Sequence, residues 1–353
     1  MKTFRCHCGN NLHFDNTHCV ACGRQLGFIV EDLRLSALEP VSSSEWRALS
    51  AKNPDQTFKQ CVNYLDQQVC NWMIPANEKD GFCASCRLNK VIPNLGKDKN
   101  RELWKKVEAA KRQLLFTLYS LKLPIVNREV DPKNGLGFRF LEDQTEVNWQ
   151  QEIEANEKIL TGHSSGLITI NIAEADDSER ESMRRKMNEP YRTLLGHFRH
   201  ESGHYFWERL INRTAWIDEF RQLFGNEQLE YSQAMANYFQ TGGDPDWQTN
   251  YITQYASCHP WEDWAECWAH YLHIYDTLQT ARDSRLMIGK QEINELNDFD
   301  IGLQQWQEFS IAFNALSRSM GVTDPYPFII NQAVAAKLKF IHRVITSSAS
   351  QGQ

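Results

Sequence analysis

The chain has 353 residues, 41% of them apolar and 24% charged, the proportions of a folded globular protein rather than a disordered or low-complexity one. No apolar run approaches the roughly 20 residues that a membrane helix needs, and mean hydropathy is −0.56. Residues 1–100 carry 12 Lys and Arg against 10 Asp and Glu (+2) and the remainder 26 against 35 (−9), which argues against nucleic acid or an anionic membrane as partner.

No apolar stretch precedes the first cysteine, Cys6, so no signal peptide is expected and the sequence reads as cytoplasmic. Eight of the ten cysteines fall in the first quarter of the chain. In a reducing compartment such a cluster points to metal rather than disulfides. Residues 1–30 hold Cys6-x-Cys8-Gly9 and then Cys19-x-x-Cys22-Gly23. Each close pair followed by Gly predicts a knuckle that aims two thiolates at one ion. Cys6, Cys8, Cys19 and Cys22 together make the closed set of a structural zinc ribbon.

Residues 31–95 offer a second, less regular set: Cys61, Cys70, Cys83 and Cys86. Only its last pair has knuckle spacing, and the alternative is one knuckle with two core cysteines. One or two structural zinc ions are therefore expected. Segments this small bury little core, so metal binding would supply their folding free energy.

Residues 87–100 combine Pro, Gly and charge and read as a boundary. From Arg101 to about Lys122 the apolar spacing is helical, with Leu103, Val107, Ala110, Leu114 and Leu118 on one face. Phe138 to Leu141 and Leu167 to Ile172 read as strands, the second by its alternation. After Ala173 the pattern is helical, with breaks near Gly225, Gly242-Gly243-Asp244-Pro245 and Pro325-Tyr326-Pro327. A main domain is expected over 100–345 and a disordered tail over 346–353.

Pro190 is placed in the first turn of a helix that carries His200-Glu201-Ser202-Gly203-His204. The i, i+4 spacing puts both imidazoles on one face, able to grip one zinc ion. Glu201 lies beside that face and can act on a water without occupying the metal, as a general base must.

A hydrolytic zinc also needs a third protein ligand. A third histidine six residues after the second is excluded, because Leu210 stands there. Asn226-Glu227 lies at a usable distance, but the preceding Phe-Gly suggests a turn. The stronger candidate is the segment Cys258-His-Pro-Trp-Glu-Asp-Trp-Ala-Glu-Cys-Trp-Ala-His-Tyr-Leu-His273. Pro260 opens a helix on which Glu262 and Glu266 share a face among three tryptophans. Such carboxylates are costly unless something positive receives them. Glu262 as ligand and Glu266 as acceptor for a zinc histidine's other ring N–H would satisfy both. Asp263 reads as a helix-start carboxylate, and Cys258 and Cys267 as core.

His-Glu-x-x-His followed by Glu-x-x-x-Glu resembles the gluzincin metallopeptidases, and Glu262 to Glu266 is similar to the second zinc helix of the lethal factor and Pro-Pro endopeptidase type. That resemblance implies a Tyr seven residues before the ligand as oxyanion donor, here Tyr255, and favours Glu262 over Glu266 as ligand. Thr161-Gly-His-Ser-Ser-Gly-Leu-Ile-Thr-Ile170, Tyr191 to His204 and Ser317-Arg-Ser-Met-Gly321 also resemble a bacterial family that fuses an N-terminal zinc ribbon to a zinc-binding metallopeptidase. Together these imply an α+β, mostly helical, zincin-like domain with a small mixed sheet, preceded by zinc-ribbon modules. The implied activity is peptide-bond hydrolysis with one catalytic Zn²⁺ and a peptide or protein substrate. By fold analogy the strand at Leu167, Ile168, Thr169 and Ile170 would be the edge that pairs with it. The rival reading is a non-catalytic interaction module on a peptidase-like scaffold.

Overall fold

Short, largely buried segments between Leu26 and Pro75 build an antiparallel meander in the computed structural model, which describes residues 2–148, 153–157, 159, 161–187, 189–294 and 296–351. Its strands are β1 (Leu26–Ile29), β2 (Arg34–Pro40), β3 (Trp46–Ala48), β4 (Thr57–Gln60) and β5 (Met73–Pro75), paired in that order. A hairpin of Phe4–Arg5 with Asn11–Leu12 precedes the meander and carries Cys6 and Cys8 in its turn. Phe4, Phe14, Phe28 and Trp72 are buried together, with Phe28 stacked on Trp72 at 4.9 Å between ring centroids.

Helix α1 (Asp98–Ser120) closes this core with Phe116, whose ring lies 5.5 Å from that of Phe14. It also brings two buried cations to the cysteine-bearing backbone. Lys111 Nζ donates to Ser85 O at 3.1 Å and pairs with Glu108 at 2.9 Å. Arg112 donates to Val69 O and, at 3.0 Å, to Asp15. These bonds explain why the chain divides as it does. One compact unit is Met1–Ser120 with Ile125–Lys186, and the other is Leu121–Pro124 with Met187–Gln353. The segment 87–100, read as a boundary, holds a short strand (Asn89–Val91) and the start of α1 and lies within the first unit, because that helix packs back on the cysteine segment.

The first unit also holds a mixed sheet of β6 (Asn89–Val91), β7 (Gly137–Leu141), β8 (Gly162–Ser164) and β9 (Leu167–Asn171), in the spatial order β8-β9-β7-β6. β9 runs antiparallel to β8 and parallel to β7. The expectation that Leu167, Ile168, Thr169 and Ile170 form a free edge is therefore wrong. Leu167, Ile168 and Thr169 are paired on both sides, the outer one by a three-residue strand across a tight turn, and Ile170 pairs with Phe140 of β7.

In the second unit the helices are α2 (Leu194–Leu210), α3 (Ile217–Phe224), α4 (Tyr231–Thr241), α5 (Pro260–Asp283), α6 (Phe299–Ser319) and α7 (Gln332–Gln351). Phe206, Phe220, Trp264, Trp268 and Phe340 are buried and make the aromatic core between them. α2 starts later than expected: Thr193 caps it by accepting from Gly196 N–H at 3.0 Å, and Pro190 lies before the cap. α7 carries residues 346–351 as helix, which corrects the expected tail; residues 352 and 353 lie outside the described residues.

Candidate metal centres

The knuckles are built by backbone that only Gly tolerates easily. Gly9 and Gly23 have φ of +89° and +72°, which turns each loop so that its N–H returns to the carbonyl of Cys6 or Cys19. Sγ of Cys6 lies 3.7 Å from that of Cys22, and Sγ of Cys8 lies 3.7 Å from that of Cys19. The second set is alike, with Cys70 and Cys83 at 3.7 Å, and Cys61, Cys70, Cys83 and Cys86 all buried. All ten cysteines are free thiols. A tetrahedron with Zn–S bonds of about 2.3 Å has edges of about 3.8 Å, so both clusters fit zinc and neither fits a disulfide. A backbone hydrogen bond from Cys22 lowers the Cys19 thiol to about 6, as a thiolate ligand requires, whereas burial pushes Cys6 up to about 12.

The third cluster lies where α2 crosses α5. Gly203 permits the crossing: a Cβ there would stand 2.9 Å from Ala265 Cα and 3.2 Å from Trp268 Cβ. The neighbouring polar atoms seal the contact. Trp264 Nε1 donates to Gly203 O at 2.9 Å, and Trp268 Nε1 donates to Ser202 Oγ at 3.1 Å. The two residues between Glu201 and His204 thus serve the helix pair, while the histidines meet carboxylates of the same α5.

α5 is positioned at its start by His259. The Nδ1 of His259 accepts from Trp261 N–H at 3.1 Å, and its Nε2 bonds Leu229 O at 3.1 Å. With Pro260 at the first helical position, this cap aims Glu262 at the two imidazoles. Glu262 Oε2 is 3.0 Å from His200 Nε2, and Oε1 is 3.4 Å from His204 Nε2. Ligand atoms of His200, His204 and Glu262 all lie within 4.8 Å of one another. Bonds of 2.0–2.1 Å in a tetrahedron give edges of about 3.4 Å, so this donor set also fits zinc.

Around it the other carboxylates divide. Glu266 Oε1 is 2.7 Å from His200 Nδ1, and its Oε2 accepts from Thr253 Oγ1 at 2.8 Å. Glu201 is 8% exposed, and burial raises its carboxyl above the ordinary range. Burial disfavours a charged His200, but the hydrogen bonds to Glu262 and Glu266 outweigh it and hold the imidazole well above its usual range. Three carboxylates share this pocket with two imidazoles, a balance that invites a cation.

Tyr255 sits in a 3-10 turn just before the His259 cap, its ring centroid 6.1 Å from that of His200. Burial raises its phenol. The rival Glu227 is held elsewhere, by Arg221 at 2.5 Å and 3.0 Å. Asp263 stands in the first turn of α5, as expected of a helix-start carboxylate. It is fully buried and accepts from Lys337 Nζ at 2.6 Å. Cys267 is buried, and the half-buried Cys258 touches the Met235 sulfur at 3.5 Å.

Three residues at this centre are absent from the sequence reading. The Tyr231 hydroxyl donates to Glu262 Oε1 at 2.8 Å, Thr253 holds Glu266, and His259 caps α5. Only His259 had a signal, since a side-chain acceptor directly before a helix-opening Pro is a cap pattern.

Two sequence families divide the chain as the clusters do. Residues 3–97 match a zinc-ribbon domain, and residues 100–344 match the family described as "putative zinc-binding metallo-peptidase". Uncharacterized proteins of Mycobacterium tuberculosis and Mycobacterium bovis are each 38% identical over 99% of this chain and 96% of their own length. No solved structure gives a significant match. Among the described residues no helix is long and apolar enough to cross a membrane. With its family match spanning 100–344 behind a zinc-ribbon domain, the chain belongs to that zinc-binding metallopeptidase family.

Proposed function

We propose that the protein is a zinc-dependent peptidase of the gluzincin kind, in which His200, His204 and Glu262 hold the catalytic ion and Glu201 is the general base. The observation that carries this reading is the convergence of both His Nε2 atoms on one buried carboxylate, at 3.0 Å and 3.4 Å, with a further carboxylate beside them that is not needed for binding. Zinc there, when bound, supplies Lewis acidity that makes water a nucleophile near neutral pH and polarises an amide carbonyl.

The chain's own residues do the rest. Glu266 accepts from His200 Nδ1, which fixes the tautomer and turns Nε2 toward the ion; Thr253 holds Glu266 in that position. Glu201 takes a proton from the attacking water and returns it to the leaving amine. Its raised affinity for protons suits a group that must do both. Tyr255 donates its phenol hydrogen to the oxyanion that develops on the carbonyl oxygen. The two thiolate clusters are closed sets and are structural in this account.

The test is cleavage of a mixed peptide library by zinc-loaded protein. A Glu201→Gln variant should keep its metal content and lose at least about 10²-fold in rate, the low end of what a general base contributes. Equal cleavage by the variant would overturn the role of Glu201.

A further inference from the structure

We propose that Tyr231 is a positioning residue for the catalytic metal, orienting the Glu262 carboxylate through the hydrogen bond to Oε1; the proposal rests on the peptidase reading above. The two oxygens of Glu262 face different imidazoles, Oε2 toward His200 and Oε1 toward His204. Tyr231 donates to Oε1 at 2.8 Å. That bond stops rotation of the carboxylate and draws charge from one oxygen. Glu262 is thereby biased toward binding through the other, which leaves a coordination position for water and substrate.

The placement of Tyr231 is constructed rather than incidental, although the residue is 39% exposed. It opens α4, whose N-terminus is fixed by Glu230 accepting from the N–H groups of Ser232 and Gln233. Two residues earlier, Leu229 O is tied to His259, the cap of the helix that carries Glu262. The Tyr231 ring packs against those of His259 and Trp261 at 5.3 Å and 5.8 Å. The side chain on α4 and the carboxylate on α5 are thus held to one reference point.

The test uses the full chain and two readouts other than turnover. Zinc affinity of the His/Glu centre is measured by chelator competition. Cadmium NMR on the substituted protein separates the nitrogen–oxygen centre from the two sulfur-only sites. Tyr231→Phe removes one oxygen from a surface helix and should weaken zinc about 10–100-fold. It should also shift the nitrogen–oxygen cadmium resonance and leave the sulfur-site resonances in place, which shows that the variant is folded. Tyr238→Phe, on the same face of α4, should change neither. Wild-type affinity and an unmoved resonance in Tyr231→Phe would overturn the proposal. A wild-type chain that binds no metal at the centre would overturn the peptidase reading itself.

Discussion

At the proposed zinc centre the effect of a substitution depends on which hydrogen-bond partner is left behind. Glu266 holds His200 Nδ1, and Thr253 holds Glu266. Thr253→Val removes only the outer bond and should weaken zinc less than Glu266→Gln, which loosens the imidazole itself. Chelator competition on both variants checks the order, and a reversed order would contradict the chain of contacts. His270 gives a separate prediction for acid. Burial pushes its imidazole down to about 4. Between pH 6.5 and about 4 the unfolded chain therefore binds a proton that the folded chain refuses, and stability falls as pH falls through that window. The loss from this one group approaches about 3 kcal/mol at the acid end. Denaturant midpoints against pH should show a shallower slope there for His270→Asn, and an unchanged slope would contradict the assignment.

At the scale of elements, the site is a helix crossing, and its tightest contact lies behind the histidines. Gly203→Ala would set a methyl 2.9 Å from Ala265 Cα, backbone that has no easy way to yield. Overpacking of this kind costs about 1–3 kcal/mol. Because α5 carries Glu262 one turn away, the same change should also weaken zinc; a thermal melt and a zinc titration on one sample test both. The elements differ in how far they could be read from sequence. Helical periodicity is local, and so is the i, i+4 spacing of His200 and His204, which is why α1, α2 and the histidine pair were legible. Pairing is not local. β9 reads as a strand from its alternation, but its neighbours are a three-residue strand and a parallel partner about thirty residues earlier. Nothing in Leu167 to Thr169 announces that both edges are occupied. Tyr231 escaped notice for the same reason: it meets Glu262 across 31 residues, and a lone Tyr at a helix start carries no motif.

For the whole molecule, the two units offer a metal different donors, thiolates in the first and His with Glu in the second. Arg112 and Lys111 donate to the carbonyls of Val69 and Ser85, each one residue before a cysteine of the second cluster. Two buried cations next to a tetrathiolate set, which stays anionic around a divalent ion, offset its charge. Stripping the thiolate clusters with a strong chelator should therefore open residues 3–97 together with α1 to hydrogen exchange. Protection that survives chelation in both segments would contradict a structural role for the clusters. The third cluster, of two imidazoles and a carboxylate, keeps the chemistry of an open site. Counting zinc by native mass spectrometry tests it most directly. Wild type and Glu201→Gln should each carry three ions per chain and His204→Ala two, one for each remaining cluster of the three. A wild-type chain with two ions, or a His204→Ala chain that retains three, would contradict the account.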